Sequence, residues 1–383
     1  MLNTYAVLGA GLQGTAAAYD FGRFGQAAQI FLADLHEEKA AAEAERINQL
    51  LQKDLVVPAR IDVTSLPAVE QFLRGVKVCL SAVPYYYNVD LARAAVRAGT
   101  HFCDLGGNTE VVFQEHELAD MARAQKVTIA PDCGLAPGMS NILSVYGMRQ
   151  LRHPRKVRIY VGGLPQDPKP PLGYSLTFNI EGLTNEYFGK AFILRHGEIT
   201  EIEAFSELET LEFTDPPGQC EAFITVGGTS TCPWTFAGVL EEFVEKTVRY
   251  PGHYDRMKAI LDLGLLDTRP VIVDGVEVIP RNVFHAVAGP RLMDEDPRDL
   301  VVLRIDVEGD DGRVRIELHD FYDEETGFTA MQRTTGFGAA IIGIMLAHDV
   351  FKPGSIRLEE AVDPEAYLEE LRKRGFNIVV SKD

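Results

Sequence analysis

A chain of 383 residues, 46% hydrophobic and 24% charged, has the composition of an ordinary globular protein and is long enough for two domains. Its 37 basic residues stand against 56 acidic ones, a formal net charge of −19, and that excess repels the phosphates of nucleic acid and anionic membrane surfaces alike. Five widely spaced cysteines, Cys79, Cys103, Cys133, Cys220 and Cys232, include no C-x-x-C pair; this argues against a disulfide framework or a zinc ribbon and fits a reducing cytoplasm.

The first strand is expected from Tyr5 to Leu8, within a few residues of Met1 and without the charged region and apolar run of a secretory signal. Glycines at 9, 11 and 14 follow it, and Leu12 to Phe24 carries a helical pattern, so the turn satisfies G-x-G-x-x-G between a strand and a helix. The first glycine permits the tight turn, the second lets backbone N–H groups approach a pyrophosphate, and the third lets helix pack on strand. A second strand, Gln29 to Asp34, places a carboxylate twenty residues after Gly14, where it can accept from a ribose 2′-OH. A 2′-phosphate would be repelled there, and Leu35 and His36 supply no arginine to receive it; NAD is therefore expected over NADP.

Glu37 to Gln52 reads as a charged amphipathic helix and Ala59 to Val63 as a third strand ending on Asp62 and Val63, where contact with an adenine and a solvated strand end are both compatible readings. Val76 to Pro84 is the fourth strand, Val89 to Ala98 a helix, His101 to Asp104 the fifth strand, Phe113 to Lys126 a helix and Val127 to Ala130 the sixth strand. This alternation makes an α/β doubly wound parallel sheet, in which ligands lie beyond the carboxyl ends of the strands. The cofactor set is thereby Gly9, Gly11, Leu12, Gln13 and Gly14; Asp34 and Leu35; Asp62 and Val63; Ala82, Val83 and Pro84; and Gly106. Of Tyr85, Tyr86 and Tyr87, which cannot all face one way, Tyr85 is the site candidate. Cys133 stands at another strand end, as a reactive thiol or, more commonly for a free cysteine, a buried packing residue.

From Gly134 the pattern changes. A helix over Gly138 to Leu151 leads to a strand at Val157 to Val161, a loop with Pro165, Pro168, Pro170 and Pro171, and strand-like runs at Ser175 to Phe178, Ala191 to Leu194, Glu207 to Phe213, Ala222 to Val226, Val301 to Val307 and Val314 to Phe321. Strands with few intervening helices imply a mostly antiparallel sheet in an α+β domain, with a hairpin turn at Gly309 to Gly312 and a solvated face over most of Glu198 to Glu212. The tail reads as helix, helix and short strand: Phe337 to Val350, Pro364 to Arg374 and Phe376 to Val380. Phe337 to Leu346 is too short for a membrane span of about 20 residues. The expected division is a dinucleotide domain, 1–133, completed by 334–383, and a substrate and dimerisation domain, 134–333.

Several phrases together resemble one family, the saccharopine dehydrogenase and lysine 6-dehydrogenase group: Ser81-Ala82-Val83-Pro84-Tyr85, Gly134-Leu135-Ala136-Pro137-Gly138-Met139-Ser140-Asn141, Gly227-Gly228-Thr229-Ser230-Thr231, Lys246-Thr247-Val248-Arg249-Tyr250-Pro251-Gly252-His253 and Thr334-Thr335-Gly336-Phe337. The resemblance implies a Rossmann domain, a second domain whose sheet forms a homodimer, and hydride transfer between a nicotinamide and an amine carbon. Two departures separate the chain from the saccharopine-forming branch. That branch resembles Gly-Leu-Asp-Pro-Gly-Ile-Asp-His where this chain has Ala136, Ser140 and Asn141, and it carries an arginine where Phe178-Asn179-Ile180-Glu181-Gly182 aligns. Glu181 would repel the extra carboxylate of saccharopine and attract an ammonium group. Glu181-Gly182-Leu183 with Glu186-Tyr187 resembles the NAD-dependent lysine 6-dehydrogenase side.

An amine carbon gives up hydride only when its nitrogen is neutral, and a free alkylammonium has a pKa of about 10.4, so a base is required. The candidates are Asp104 and Glu181. Arg249 is the candidate for a substrate carboxylate, with Tyr174, Thr231 and His253 as polar liners; a structural ion pair for Arg249 and a helix cap for His253 are the plain alternatives. The expected activity is oxidation of L-lysine at its side-chain amine carbon, with a saccharopine or carboxyspermidine-type dehydrogenase and a nucleotide-responsive regulator as the other readings. No metal is expected.

Overall fold

The computed structural model describes residues 2–177, 179–294 and 296–383, and its contacts divide the chain into two units. The first comprises Met1–Tyr146, Ser230–Thr235 and Gln332–Phe376. Its strands β1 (Asn3–Leu8), β2 (Ala27–Asp34), β3 (Val56–Arg60), β4 (Val78–Ser81), β5 (His101–Asp104) and β6 (Thr128–Ala130) form one parallel sheet in the order β6-β5-β4-β1-β2-β3, extended beyond β6 by the two-residue strand Gly354–Ser355. The order reverses at β1 and β4, the switch point at which such sheets take a ligand. Tyr5, Ala6, Val7 and Leu8 are fully buried, as a central strand covered on both faces requires.

Three sequence expectations need correction in this unit. The third strand lies at Val56–Arg60, not Ala59 to Val63; it is the sheet's edge, where Pro58 is tolerated because a proline on a free edge removes no ladder bond. Asp62 therefore lies beyond the strand in a turn, accepting from the backbone N–H and hydroxyl of Thr64 at 2.9 and 2.6 Å. The helix expected from Phe113 is two, Thr109–His116 and Ala119–Gln125, the first capped by Asn108, whose side-chain oxygen accepts from the N–H groups of Glu110 and Val111. The short tail strand, Ile378–Lys382, is not part of this sheet.

The tail does supply the apolar helix Gly338–Ala347, entered through a π-helical turn at Arg333–Phe337. A Cβ on Gly336 would stand 2.7 Å from Ala16 Cβ and 2.8 Å from Gln13 O, so a glycine is needed where this turn meets the helix Leu12–Phe24. Arg374 joins the same helix through a buried pair with Asp20 at 2.8 Å.

The second unit, Gly147–Thr229, Phe236–Met331 and Asn377–Asp383, holds a nine-stranded sheet. Its strands are β7 (Lys156–Pro165), β8 (Lys190–Arg195), β9 (Glu198–Glu203), β10 (Ser206–Glu212), β11 (Gln219–Ile224) and β12 (Glu242–Arg249), and, after a separate hairpin of β13 (Val271–Val273) and β14 (Val276–Val278), β15 (Asp299–Gly309), β16 (Gly312–Phe321) and β17 (Ile378–Lys382). The order is β10-β11-β12-β7-β15-β16-β17, with β8 bridging β12 and β9. The sheet is mostly antiparallel as expected, but β7 and β12 run parallel, because the long excursion through β8 to β11 returns the chain in the same direction. No strand forms at 175–177, and Phe178 lies outside the described residues. The outward faces of β9 and β10 are solvated.

Candidate functional site

The glycine turn is shaped for an anion. Gly9 has φ +106°, and a Cβ there would stand 2.7 Å from Ala82 O; a Cβ on Gly14 would stand 2.0 Å from Gly9 O. On Gly11 a Cβ would meet nothing within 4 Å. That open side faces the start of the helix Leu12–Phe24, which has no side-chain cap, so its first N–H groups are free for phosphate oxygens. The residues present thus fit a dinucleotide. Leu12 is half exposed, and Gln13 Oε1 is buried without a donor.

Asp34 ties this turn to the next one. Its Oδ2 accepts from Ala10 N at 2.9 Å and its Oδ1 from His36 N at 3.0 Å, with Lys39 Nζ 3.7 Å away. Partial burial pushes this carboxyl up, but the two N–H donors and Lys39 outweigh it and hold Asp34 below the usual carboxylate range. Leu35 is half exposed, and Val63 packs against the β1–β5 core together with Val83 and Tyr87. Ala82 and Val83 border Gly9, Pro84 precedes the 3-10 turn Tyr85–Tyr87, and Tyr85 lies against Gly107, whose Cβ position is 3.2 Å from its ring.

Beyond β5 and β6 the site becomes acidic. Asp104 is fully buried, its Oδ1 accepting from Gly106 N at 2.7 Å and Asp132 N at 3.3 Å. Burial pushes it up to about 6, against those donors. Gly106 has φ +78° and leaves room only for Asp132 Oδ1, 2.1 Å from where its Cβ would be. Asp132 itself, at φ +62°, accepts from the hydroxyl of Ser230, also left-handed at φ +51°; such backbone strain concentrates at functional sites. Cys133 is buried and donates to Ala130 O, and burial pushes its thiol well up, so it is the packing residue rather than a reactive thiolate. Thr231 belongs to this first unit, where it and Thr235 donate to Glu359.

In the second unit Tyr174, Arg249 and His253 come together, joined by Tyr187. Arg249 Nε donates to Tyr187 Oη at 2.8 Å, Tyr187 lies 3.0 Å from His253 Nε2, and His253 Nδ1 lies 3.2 Å from Leu172 O. These fit one neutral tautomer, and burial, then Arg249, pulls His253 down to about 3. The helix begins at His253, but its side chain is buried in this chain of bonds, so a capping role is excluded. Arg249 packs over the Tyr174 ring at 4.9 Å, and its Nη2 lies 3.5 Å from Glu186.

Two carboxylates on this face had been given no role from sequence. Glu186, with a third of its side chain exposed, is pushed up to about 7 by its apolar surroundings against the pull of Arg249. Glu245, on β12 in the alternation that also carries Thr247 and Arg249, is buried beside Thr225 Oγ1 at 3.3 Å and pushed up to about 8 by burial and by Glu186. Glu181 is exposed in the first turn of the helix Ile180–Glu186. The i, i+2 spacing of 245, 247 and 249 was the available sequence signal.

Family models for the saccharopine dehydrogenase NADP binding domain and the saccharopine dehydrogenase C-terminal domain match residues 5–130 and 134–376. The chain belongs to the saccharopine dehydrogenase family. Two curated relatives, each a saccharopine dehydrogenase [NADP(+), L-glutamate-forming], are 23% identical over 217 residues (Schizosaccharomyces pombe) and 24% over 222 residues (Saccharomyces cerevisiae). Each alignment takes 54% of this chain and 47% of the relative, so the chain spans about half the length of the curated relatives it matches. The fold is that of apo saccharopine dehydrogenase (L-Glu forming) from Saccharomyces cerevisiae, at TM-score 0.77 and 18% identity over the whole of both chains. Among the described residues no helix is long and apolar enough to cross a membrane, and no group of three potential metal ligands occurs.

Proposed function

We propose that this member of the saccharopine dehydrogenase family is an NAD-dependent amine dehydrogenase acting on the side-chain amine carbon of a basic amino acid, in the first place L-lysine. The observation that carries this is the set of groups around Arg249: two acidic side chains, Glu186 and Glu245, both pushed up by burial, beside one guanidinium. That face suits a substrate with one carboxylate for Arg249 and one ammonium group, which draws Glu186 into its ionised form, whereas the second carboxylate of saccharopine meets two further acidic groups. Arg249 binds the substrate carboxylate and Glu186 attracts the ammonium group; Asp104, in the first unit, is the candidate base. Glu181, exposed on the same helix as Glu186, has the weaker claim to the amine.

The nicotinamide, when bound, accepts the hydride. The turn at Gly9, Gly11 and Gly14 would hold the pyrophosphate, and Asp34 the adenosine ribose. In balance, the alkylammonium, NAD and water yield the aldehyde, ammonium, NADH and one proton; the aldehyde, allysine, then cyclises. The naming of both curated relatives for NADP, together with Lys39 beside Asp34 and Arg60 opposite it on β3, favours a second reading in which a 2′-phosphate is accepted.

Reduced-nucleotide formation with lysine, ornithine, saccharopine and polyamines, and ammonia release with lysine, test the proposal. Lysine is expected to exceed saccharopine in kcat/KM by ~10-fold or more. Because Glu186 attracts an ammonium group only when ionised, KM for lysine should rise as pH falls through about 7, and Glu186→Gln should flatten that rise. Saccharopine as the better substrate overturns the reading.

A further inference from the structure

Three carboxyl groups meet in the first unit with too few donors. Asp104 Oδ1 has its two N–H donors, but Oδ2 is buried with none. Glu115, on the helix Thr109–His116, is fully buried and has no donor at either oxygen. Asp132 receives the Ser230 hydroxyl on Oδ2 and nothing on Oδ1. Asp104 and Glu115 are close enough for each to act on the other's ionisation, with no donor between their orphaned oxygens.

The groups acting on the three from adjoining elements are one another, Glu359 from the tail, and the N–H and hydroxyl donors already named. Among the described residues no cation is one of them, although Arg357 lines the same small cavity as Asp132 and Glu359. The neighbouring thiols of Cys103 and Cys133 are buried, and His116, pulled down to about 4 by burial and Arg357, is neutral. Three desolvated carboxylates without a counter-charge cannot all be ionised.

We infer that Glu115 is carried as a neutral carboxylic acid whose O–H donates to Asp104 Oδ2, leaving Asp104 the charged partner and Glu115 the residue that positions it. The assignment follows from the donors: Asp104 has two N–H groups to stabilise a charge, and Glu115 has none. Protonation turns two repelling acceptors into a bond and satisfies the orphaned Oδ2. Burial and the Asp104 charge both push the Glu115 carboxyl well above its usual range. The proton so placed lies next to the group proposed to receive the substrate's proton.

Infrared difference spectra of wild type against Glu115→Gln at neutral pH test this directly. A protonated-carboxyl stretch present in wild type and missing in the variant is expected; a wild type without that band overturns the inference. Stability gives a second reading. An acid whose folded pKa is raised loses stability as pH rises above its unfolded value of about 4.3, because only the unfolded chain releases the proton. The Tm of wild type should therefore fall relative to Glu115→Gln from about pH 4.5 upward and converge with it below about pH 4; parallel curves count against the proposal. The kinetic consequence rests on the proposed amine dehydrogenase reading. Glu115→Leu, which removes the donor, should move the acidic limb of kcat upward by about one pH unit or more, while Glu115→Gln leaves it in place. Loss of the band in Glu115→Gln with an acidic limb indifferent to Asp104→Asn would retire Asp104 as the base and leave the shared proton standing.

Discussion

Asp34 does two things with one carboxylate: it accepts from Ala10 and His36, fixing the glycine turn against the end of β2, and in the proposed function it carries the charge that meets the ribose. A swap to serine therefore removes a structural acceptor as well as a charge. Asp34→Ser with Leu35→Arg should shift the ratio of kcat/KM values toward NADP by ~10-fold or more and lower the Tm by a few degrees, as the loss of about 1 kcal/mol of hydrogen bonding does in a chain this size. A wild type that already prefers NADP would overturn the NAD reading, and Lys39 and Arg60 become the residues to replace. The place of Asp34 at the end of β2 was legible in the sequence because spacing from a glycine motif is a local property. Glu115 was not, although Val112 and Glu115 stand three apart on one helical face and are buried together. A charged residue on an apolar face is ordinarily taken for a helix edge, and only Asp104 at the end of β5 and Asp132 beyond β6 reveal the missing donors.

Elements whose signals lie within a few neighbouring residues were read to their ends: Leu12–Phe24 and His101–Asp104 match the expectation residue for residue. Those whose identity depends on a partner were misread. Val56–Arg60 needed an edge position to excuse its proline, and β12 was missed as a strand because its alternate positions are polar on both faces. The pairing of the helix Leu12–Phe24 with the tail was equally unreadable, since Asp20 and Arg374 lie 354 residues apart. Both side chains of that pair are 0% exposed. Arg374→Leu leaves Asp20 buried without its counter-charge and should cost ~3–5 kcal/mol, measured by chemical denaturation, while Asp20→Asn with Arg374→Leu should recover part of that loss. Equal stability of the single and double variants would mean that Asp20 is already neutral in the folded chain.

Across the whole molecule, apolar surface remains uncovered in the second unit. Val271, Ile272, Val273 and Val276, on the hairpin of β13 and β14, are 48%, 71%, 51% and 62% exposed. Contiguous exposed apolar residues mark association surfaces, and a homodimer is the assembly proposed. Light scattering at micromolar concentration should give twice the 42.3 kDa chain mass, and Ile272→Glu with Val276→Glu should return it to one; a wild-type chain that stays at 42.3 kDa at every concentration removes the proposal. The first unit has a different consequence. Its contacts draw on 1–146, on six residues at 230–235 and on 332–376, so a ribosome has made nearly the whole second unit before it delivers the helix Gly338–Ala347 that the first sheet packs against. During translation the opening 146 residues wait with that face of β4 and β5 bare, and a gene cut at Tyr146 would express a sheet without its lid, a substrate for chaperones rather than a free-standing nucleotide-binding domain.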